Sequence, residues 1–179
     1  MNVFPAAFFA AKQPLALIVF NPNAGQAEAL QPELEAAASL WREAGWQVNL
    51  RPTRRAGDAT VLAQEAAAAG YDFVAAAGGD GTVNEVVNGL VGTQTALAVL
   101  PCGTVNIWAR EMGLSMEIPA AAAAFIAAER RQVDVGICRV LRKDAATGNT
   151  AEVKDTDVKN TDVKNTKNTK DGKKKRING

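Results

Sequence analysis

The chain has no histidine in 179 residues. That absence removes Ser–His–Asp and Cys–His catalysis, and any zinc site built on imidazole. Acid–base work must fall to carboxylates, or to a Lys, Cys or Tyr. Cysteine is nearly absent too: Cys102 and Cys138 are the two. They are too few for a disulfide scaffold or an all-cysteine zinc site, and they fit a reduced, cytoplasmic setting. Aromatic residues make up 6% of the chain. No apolar stretch reaches the ~18–20 residues that a membrane helix needs. The apolar start, Met1–Ala11, carries no basic segment and is interrupted by Pro5, so it reads as a lead-in rather than a signal peptide.

What is present is ordinary globular material, 47% apolar and 22% charged, in a length suited to one domain. The net charge of +1 conceals an asymmetry. Residues 1–141 carry 9 Lys/Arg against 13 Asp/Glu, whereas residues 142–179 carry 11 against 6. The expected division is a disordered lead-in over 1–12, a folded domain over 13–141 and a basic tail over 142–179. Within the tail, Asp157-Val-Lys-Asn-Thr161 recurs as Asp162-Val-Lys-Asn-Thr166. Such a segment cannot bury enough apolar surface to offset its ordering entropy, so it is expected to be disordered. Its short basic run, Lys173–Arg176, reads as solvated rather than as a tether for nucleic acid or membrane.

Apolar runs separated by glycine set the organisation. Leu15–Phe20 is a buried strand, and residues 28–44 place Leu30, Leu34, Ala37, Ala38 and Trp41 at helical spacing. Pro32 suits an early helical turn and Gly45 a helix stop. Trp46–Arg51 is a second strand. Asp58 is placed to cap a helix that runs to Ala69 and stops at Gly70. Tyr71–Ala77 is a third strand, with a helix over Thr82–Val91. Ala96–Leu100 is a fourth strand, followed by helices over 104–112 and 119–129. Arg131–Val140 reads as a last strand. Strand, loop and helix thus alternate, which predicts an α/β fold: a doubly wound, mostly parallel sheet with helices on both faces. In such sheets ligands bind beyond the carboxyl ends of the strands. The loops 21–25, 78–82 and 101–104 all fall there.

The loop Gly78-Gly-Asp-Gly-Thr82 has the composition of a phosphate cradle. Glycine lets backbone approach a ligand, and the following helix aims free N–H groups at an anion. Asp80 would repel phosphate unless it holds a magnesium ion, bonds an acceptor hydroxyl or takes its proton. Its other reading is a helix cap. Thr82 and Glu85 match a capping box. Asn21–Gly25 reads either as a β–α turn or as a loop touching a nucleotide. Thr104 is placed to cap a helix or bond a phosphate, and Arg110 to pair with phosphate or with Glu111 or Asp72. Cys102 reads as a small buried residue rather than a nucleophile. No Lys follows the glycines, so this is not the G-x-x-x-x-G-K-[ST] loop, and Asn84 breaks the G-x-G-x-x-G pattern.

NPNAG, GGDGTVNEVVNGL and LPCGTVNIWARE resemble, in order, the three motifs of the diacylglycerol kinase catalytic domain. That family includes bacterial lipid kinases, sphingosine kinases and ceramide kinases, and is more distantly related to NAD kinases and phosphofructokinases. The resemblance spans about Leu15–Val140. It implies transfer of the γ-phosphoryl group of ATP to a lipid hydroxyl with Mg2+. By position it assigns Gly78, Gly79, Gly81 and Thr82 to the nucleotide phosphates. Asn21, Asn23, Gly25, Thr53 and Glu85 would line the nucleotide pocket, and Gly103, Thr104 and Asn106 would complete it. Asp80 would be the catalytic or metal-binding carboxylate.

Ala24 departs from the family, which often has Ser or Thr there. The resemblance also implies a second, β-rich domain that closes the cleft, so the chain looks like a nucleotide-binding half. The implied partners are a nucleotide and a lipid at a membrane surface, with no specific nucleic acid. The implied location is cytoplasmic, or peripheral at the inner membrane surface. An open sheet edge near Arg131–Val140 leaves a homodimer open. Two alternatives stand beside this reading: an NAD kinase-like phosphotransferase and a non-catalytic nucleotide-binding remnant.

Overall fold

The structure is a computed structural model that describes residues 3–4, 13–24, 27–136, 141–143 and 150–152. The chain divides into two units, Met1–Val135 and Gly136–Gly179. In the second, β7 (Leu141–Lys143) pairs antiparallel with β8 (Thr150–Glu152). The remainder of the repetitive tail lies outside the described residues.

The first unit opens with β1 (Val3–Phe4) and continues through β2 (Leu15–Phe20), α1 (Ala27–Glu43), β3 (Gln47–Pro52) and α2 (Asp58–Ala68). Then come β4 (Phe73–Gly78), α3 (Asp80–Leu90), β5 (Ala96–Pro101), α4 (Ile107–Glu111), α5 (Ile118–Ile126) and β6 (Arg130–Arg131). Four strands form one sheet in the order β3-β2-β4-β5. Every pairing in it is parallel, with Ala16 opposite Phe73 and Phe73 opposite Ala96. The doubly wound parallel sheet is therefore present. Its winding reverses between β2 and β4, which opens a crevice beyond their carboxyl ends.

Side-chain alternation along the strands divides the core into two layers. Ala16, Ile18, Ala75, Ala77, Ala98 and Leu100 pack with Leu34, Ala38 and Trp41 of α1 and with Ala121 and Ala122 of α5. On the other face Leu17, Val19, Val74, Ala76 and Val99 pack with Leu62 and Ala63 of α2 and Val83 and Val86 of α3. The first layer holds an aromatic cluster: Trp41 lies 5.5 Å edge-on to Phe73, and Trp46 lies 4.6 Å from Phe73. The Trp41 Nε1–H donates to the Ala122 carbonyl at 2.8 Å, tying α1 to α5.

Several local expectations need correction. Pro32 lies inside α1, because that helix already begins at Ala27. Asp58 does not cap α2. Gly57, at φ 87°, occupies the cap position, and the Asp58 carboxylate turns back to accept from the Arg54 and Arg55 N–H groups at 2.9 and 3.2 Å. The helix expected from Thr104 begins only at Ile107. The Asn106 side chain bridges the Gly103 peptide, accepting its N–H at 3.0 Å and donating to its carbonyl at 2.6 Å. That local pairing competes with helical hydrogen bonds.

Of the expected last strand over 131–140, the described residues 132–136 are not in a strand; Arg130–Arg131 pairs antiparallel with Val3–Phe4, in a sheet separate from the parallel one. Val133 and Val135 are 70% and 48% exposed, so the apolar alternation faces solvent instead of a partner strand. Residues 137–140 lie outside the described residues.

Candidate functional site

The loops that follow β2, β3, β4 and β5 converge on one cleft. Hydrogen bonds between neighbouring strand ends hold them together. Asn21 N–H donates to the Ala77 carbonyl at 3.2 Å, Thr53 N–H to Phe20 at 2.8 Å, and Cys102 N–H to Gly78 at 3.2 Å. The cleft has a volume of about 540 Å³, within the range of small-molecule sites. Of the residues expected at the site, Asn21, Asn23, Thr53, Gly79, Gly81, Thr82, Glu85, Gly103 and Thr104 line it. Gly25 lies outside the described residues.

Each wall has a local cause. The Asn21 Oδ1 accepts the Asn23 N–H at 3.0 Å, which fixes the first loop as an Asx turn. Gly79 is extended, and its carbonyl accepts from Thr82 N–H at 2.9 Å and Val83 N–H at 3.2 Å. Backbone thus starts α3 at Asp80, and the expected Thr82–Glu85 capping box does not form: α3 has no side-chain cap. Glu85 instead accepts the Ala59 N–H of α2 at 3.2 Å, while its carbonyl accepts the Thr60 hydroxyl at 2.9 Å.

Two glycines are required by close approach. A Cβ on Gly78 would lie 2.4 Å from Thr82 Oγ1. One on Gly103 would lie 2.5 Å from the Gly79 Cα and 2.9 Å from Asn106 Oδ1. The second and third motifs therefore touch backbone to backbone.

Gly78, Asp80 and Asn106 take places beside the cleft rather than on its lining. The Asp80 carboxylate faces the start of α4, with Oδ1 3.4 Å from the Trp108 N–H it accepts. Asn106 is buried at φ 52°, a left-handed conformation that asparagine tolerates better than most residues. Both ends of its amide serve Gly103, so it holds the third loop in shape. It also borders a second cavity of about 410 Å³ with Glu33, Cys102, Arg110 and Met116. Arg110 pairs with neither Glu111 nor Asp72; its Nε–H donates to the Val105 carbonyl at 2.7 Å. Among the described residues, no three His, Cys, Asp or Glu side chains cluster as a metal cage.

Cys102 sits as a small, partly buried residue just past the end of β5. Its Sγ–H donates to the Leu100 carbonyl at 3.2 Å. Burial, with the Glu33 charge adding, pushes the thiol up to about 12. In a Cys138→Ser background, alkylation at pH 8 is expected to be roughly tenfold or more slower in the folded chain than after unfolding, because the thiolate is the reactive form. Equal rates would refute the burial.

Arg54, Arg55, Ala56 and Ala59 also line the cleft and were not expected there. The available signal was a pair of adjacent cations just past a strand's carboxyl end, in an otherwise acidic domain.

The diacylglycerol kinase catalytic domain matches residues 15–138 of this chain. A diacylglycerol kinase of Bacillus subtilis (strain 168) is 41% identical over 124 residues, covering 68% of this chain and 41% of that protein. A diacylglycerol kinase of Staphylococcus aureus (strain JH9) is 38% identical over 123 residues, covering 68% of this chain and 39% of its own length. The crystal structure of a diacylglycerol kinase from Bacillus anthracis str. Sterne superposes with a TM-score of 0.58 at 34% identity, over 65% of this chain and 43% of the other. The chain thus spans about two fifths of the length of the relatives it matches.

Proposed function

This chain belongs to the diacylglycerol kinase catalytic domain family, and from that premise we propose that it is the nucleotide-binding part of an ATP-dependent lipid kinase. The reaction would move the γ-phosphoryl group of ATP to a lipid hydroxyl. The bond between the γ-phosphorus and the β–γ bridging oxygen breaks, a bond to the acceptor oxygen forms, and the acceptor proton is lost. Such a transfer depends chiefly on positioning and charge neutralisation. A site built from backbone amides and a few charges suits it.

The observation that carries this reading is Gly81. It sits in the first turn of α3 and lines the cleft, and a Cβ there would meet nothing within 4 Å. Glycine in a helix is destabilising by roughly 0.5–1 kcal/mol relative to alanine, and no contact among the described residues requires it. Close approach of a ligand to that backbone supplies the reason.

Thr82, Thr53 and the loop amides would hold phosphates and ribose. Asp80 fits a magnesium site of the open kind, since magnesium typically takes one or two carboxylates and leaves the rest to water and phosphate. Magnesium there would neutralise phosphate charge. With one Asp80 oxygen accepting from α4, the other would be left for the metal or the acceptor hydroxyl.

No helix among the described residues is long and apolar enough to cross a membrane; a lipid acceptor would bring the site to a membrane surface. Because the matched region is about two fifths of its relatives, transfer by this portion alone is expected to be slow.

Gly81→Ala separates a ligand-driven glycine from a structural one. Unfolding stability is expected to hold or rise by about 0.4–1 kcal/mol, while ATP affinity falls. An unchanged affinity would count against the cradle. A phosphorylation assay with diacylglycerol and NAD as rival acceptors, with and without a supplied second domain, then tests transfer.

A further inference from the structure

We propose that Arg54 is the side chain that neutralises the nucleotide's phosphates, and that Asp58 is the residue that positions it. This rests on the nucleotide-site reading above. No lysine occurs anywhere from residue 13 to residue 142, so arginine must supply any cationic side chain over that stretch. Among the described residues, Arg54 and Arg55 are the arginines that line the cleft. Arg42 and Arg51 pair with Glu35 and Glu65, Arg110 serves the Val105 carbonyl, and Arg130 donates to the Gln94 carbonyl.

Asp58 separates the two candidates. Its Oδ2 accepts both the Arg54 and the Arg55 N–H, which fixes the turn after β3. Its Oδ1 accepts from the Arg55 Nε at 3.3 Å, so that guanidinium already has a carboxylate partner. The Arg54 guanidinium has no ion-pair partner among the described residues. The Arg54 N–H, then the Arg55 contacts, hold the Asp58 carboxyl below its ordinary value, outweighing its partial burial. The turn is therefore set at neutral pH, and its tie is lost only as pH falls through that lowered value.

Neither of the other carboxylates near the site forms an ion pair with Arg54. Glu85 is engaged on the Ala59 N–H, and Asp80 faces α4. A guanidinium presents a planar fork that matches phosphate oxygens in a bidentate way. Its effect should therefore grow with the number of phosphates on the ligand.

Titrating adenosine, ADP and ATP into the full chain provides the test. Wild type is expected to bind them in rising order. Arg54→Gln should flatten that series, weakening ATP roughly 10- to 100-fold, with adenosine affinity unchanged and a shallower salt dependence. Asp58→Asn should weaken ATP less and also spare adenosine. Arg55→Gln should act less than Arg54→Gln.

The inference falls if Arg54→Gln keeps the full series, if it loses adenosine to the same degree, or if Arg55→Gln is the variant that flattens the series. Wild type that binds none of the three ligands would overturn the nucleotide-site reading itself, and the inference with it.

Discussion

Gly103→Val is expected to weaken ATP binding by roughly 100-fold or more while the parallel sheet survives. The cause is the contact between the second and third motifs. Any Cβ at Gly103 would lie 2.5 Å from the Gly79 Cα and 3.2 Å from the Gly79 nitrogen. Both are backbone atoms at the end of β4 and cannot swing aside as a side-chain tip would. The loops must part, and the Gly103 N–H bond to Asn106 Oδ1, at 3.0 Å, is strained or lost with them. Overpacking of this kind costs about 1–3 kcal/mol of stability, which a domain of ordinary stability survives. Calorimetric titration with ATP reads the affinity and circular dichroism the fold. A folded Gly103→Val chain that binds ATP within a few-fold of wild type would show that the approach of these loops does not matter to the site.

Trp41→Ala is expected to have the largest effect on stability, a loss of about 3–5 kcal/mol. Trp41 is fully buried and belongs to the layer between the sheet, α1 and α5. Its truncation opens a void against Phe73 and Trp46, 5.5 and 5.2 Å away in ring centroids. It also leaves the Ala122 carbonyl without its donor. Trp41→Phe removes the donor and keeps most of the volume, so it should fall between the two, near the ~1–3 kcal/mol of an unsatisfied buried group. Urea unfolding at constant slope measures both. A loss under about 1 kcal/mol for Trp41→Ala would contradict the packing.

The sheet and its three loops were legible in the sequence because each apolar strand ends in residues that break regular structure. LALIVF gives way to Asn-Pro-Asn, the run from Phe73 to glycines, and the run from Ala96 to Pro-Cys-Gly. Those boundaries depend on local chemistry alone. The contacts that shape the cleft do not.

Glu85 fitted a capping box by spacing, yet its carboxylate reaches Ala59 in the preceding helix. That reach depends on how closely α2 and α3 pack. A Cβ on Gly89 would lie 2.5 Å from the Thr60 carbonyl oxygen, a tertiary fact with no local signature. Asn106 read as a pocket residue, but its amide closes on Gly103 and shapes the loop from behind. Val133 and Val135 alternated as a strand should, but among the described residues no strand pairs with them. Arg54 and Arg55 were visible as charges, but only the turn held by Asp58 brings them to the cleft.

Backbone amide resonances of the isotopically labelled chain, followed while ATP and magnesium are added, test the central claim most directly. The largest shifts are expected together at Asn23, Thr53, Gly79, Gly81, Thr82 and Gly103, saturating with one affinity. Shifts confined to residues away from these turns, or none at millimolar ATP, would mean that the four strand ends do not form a nucleotide site.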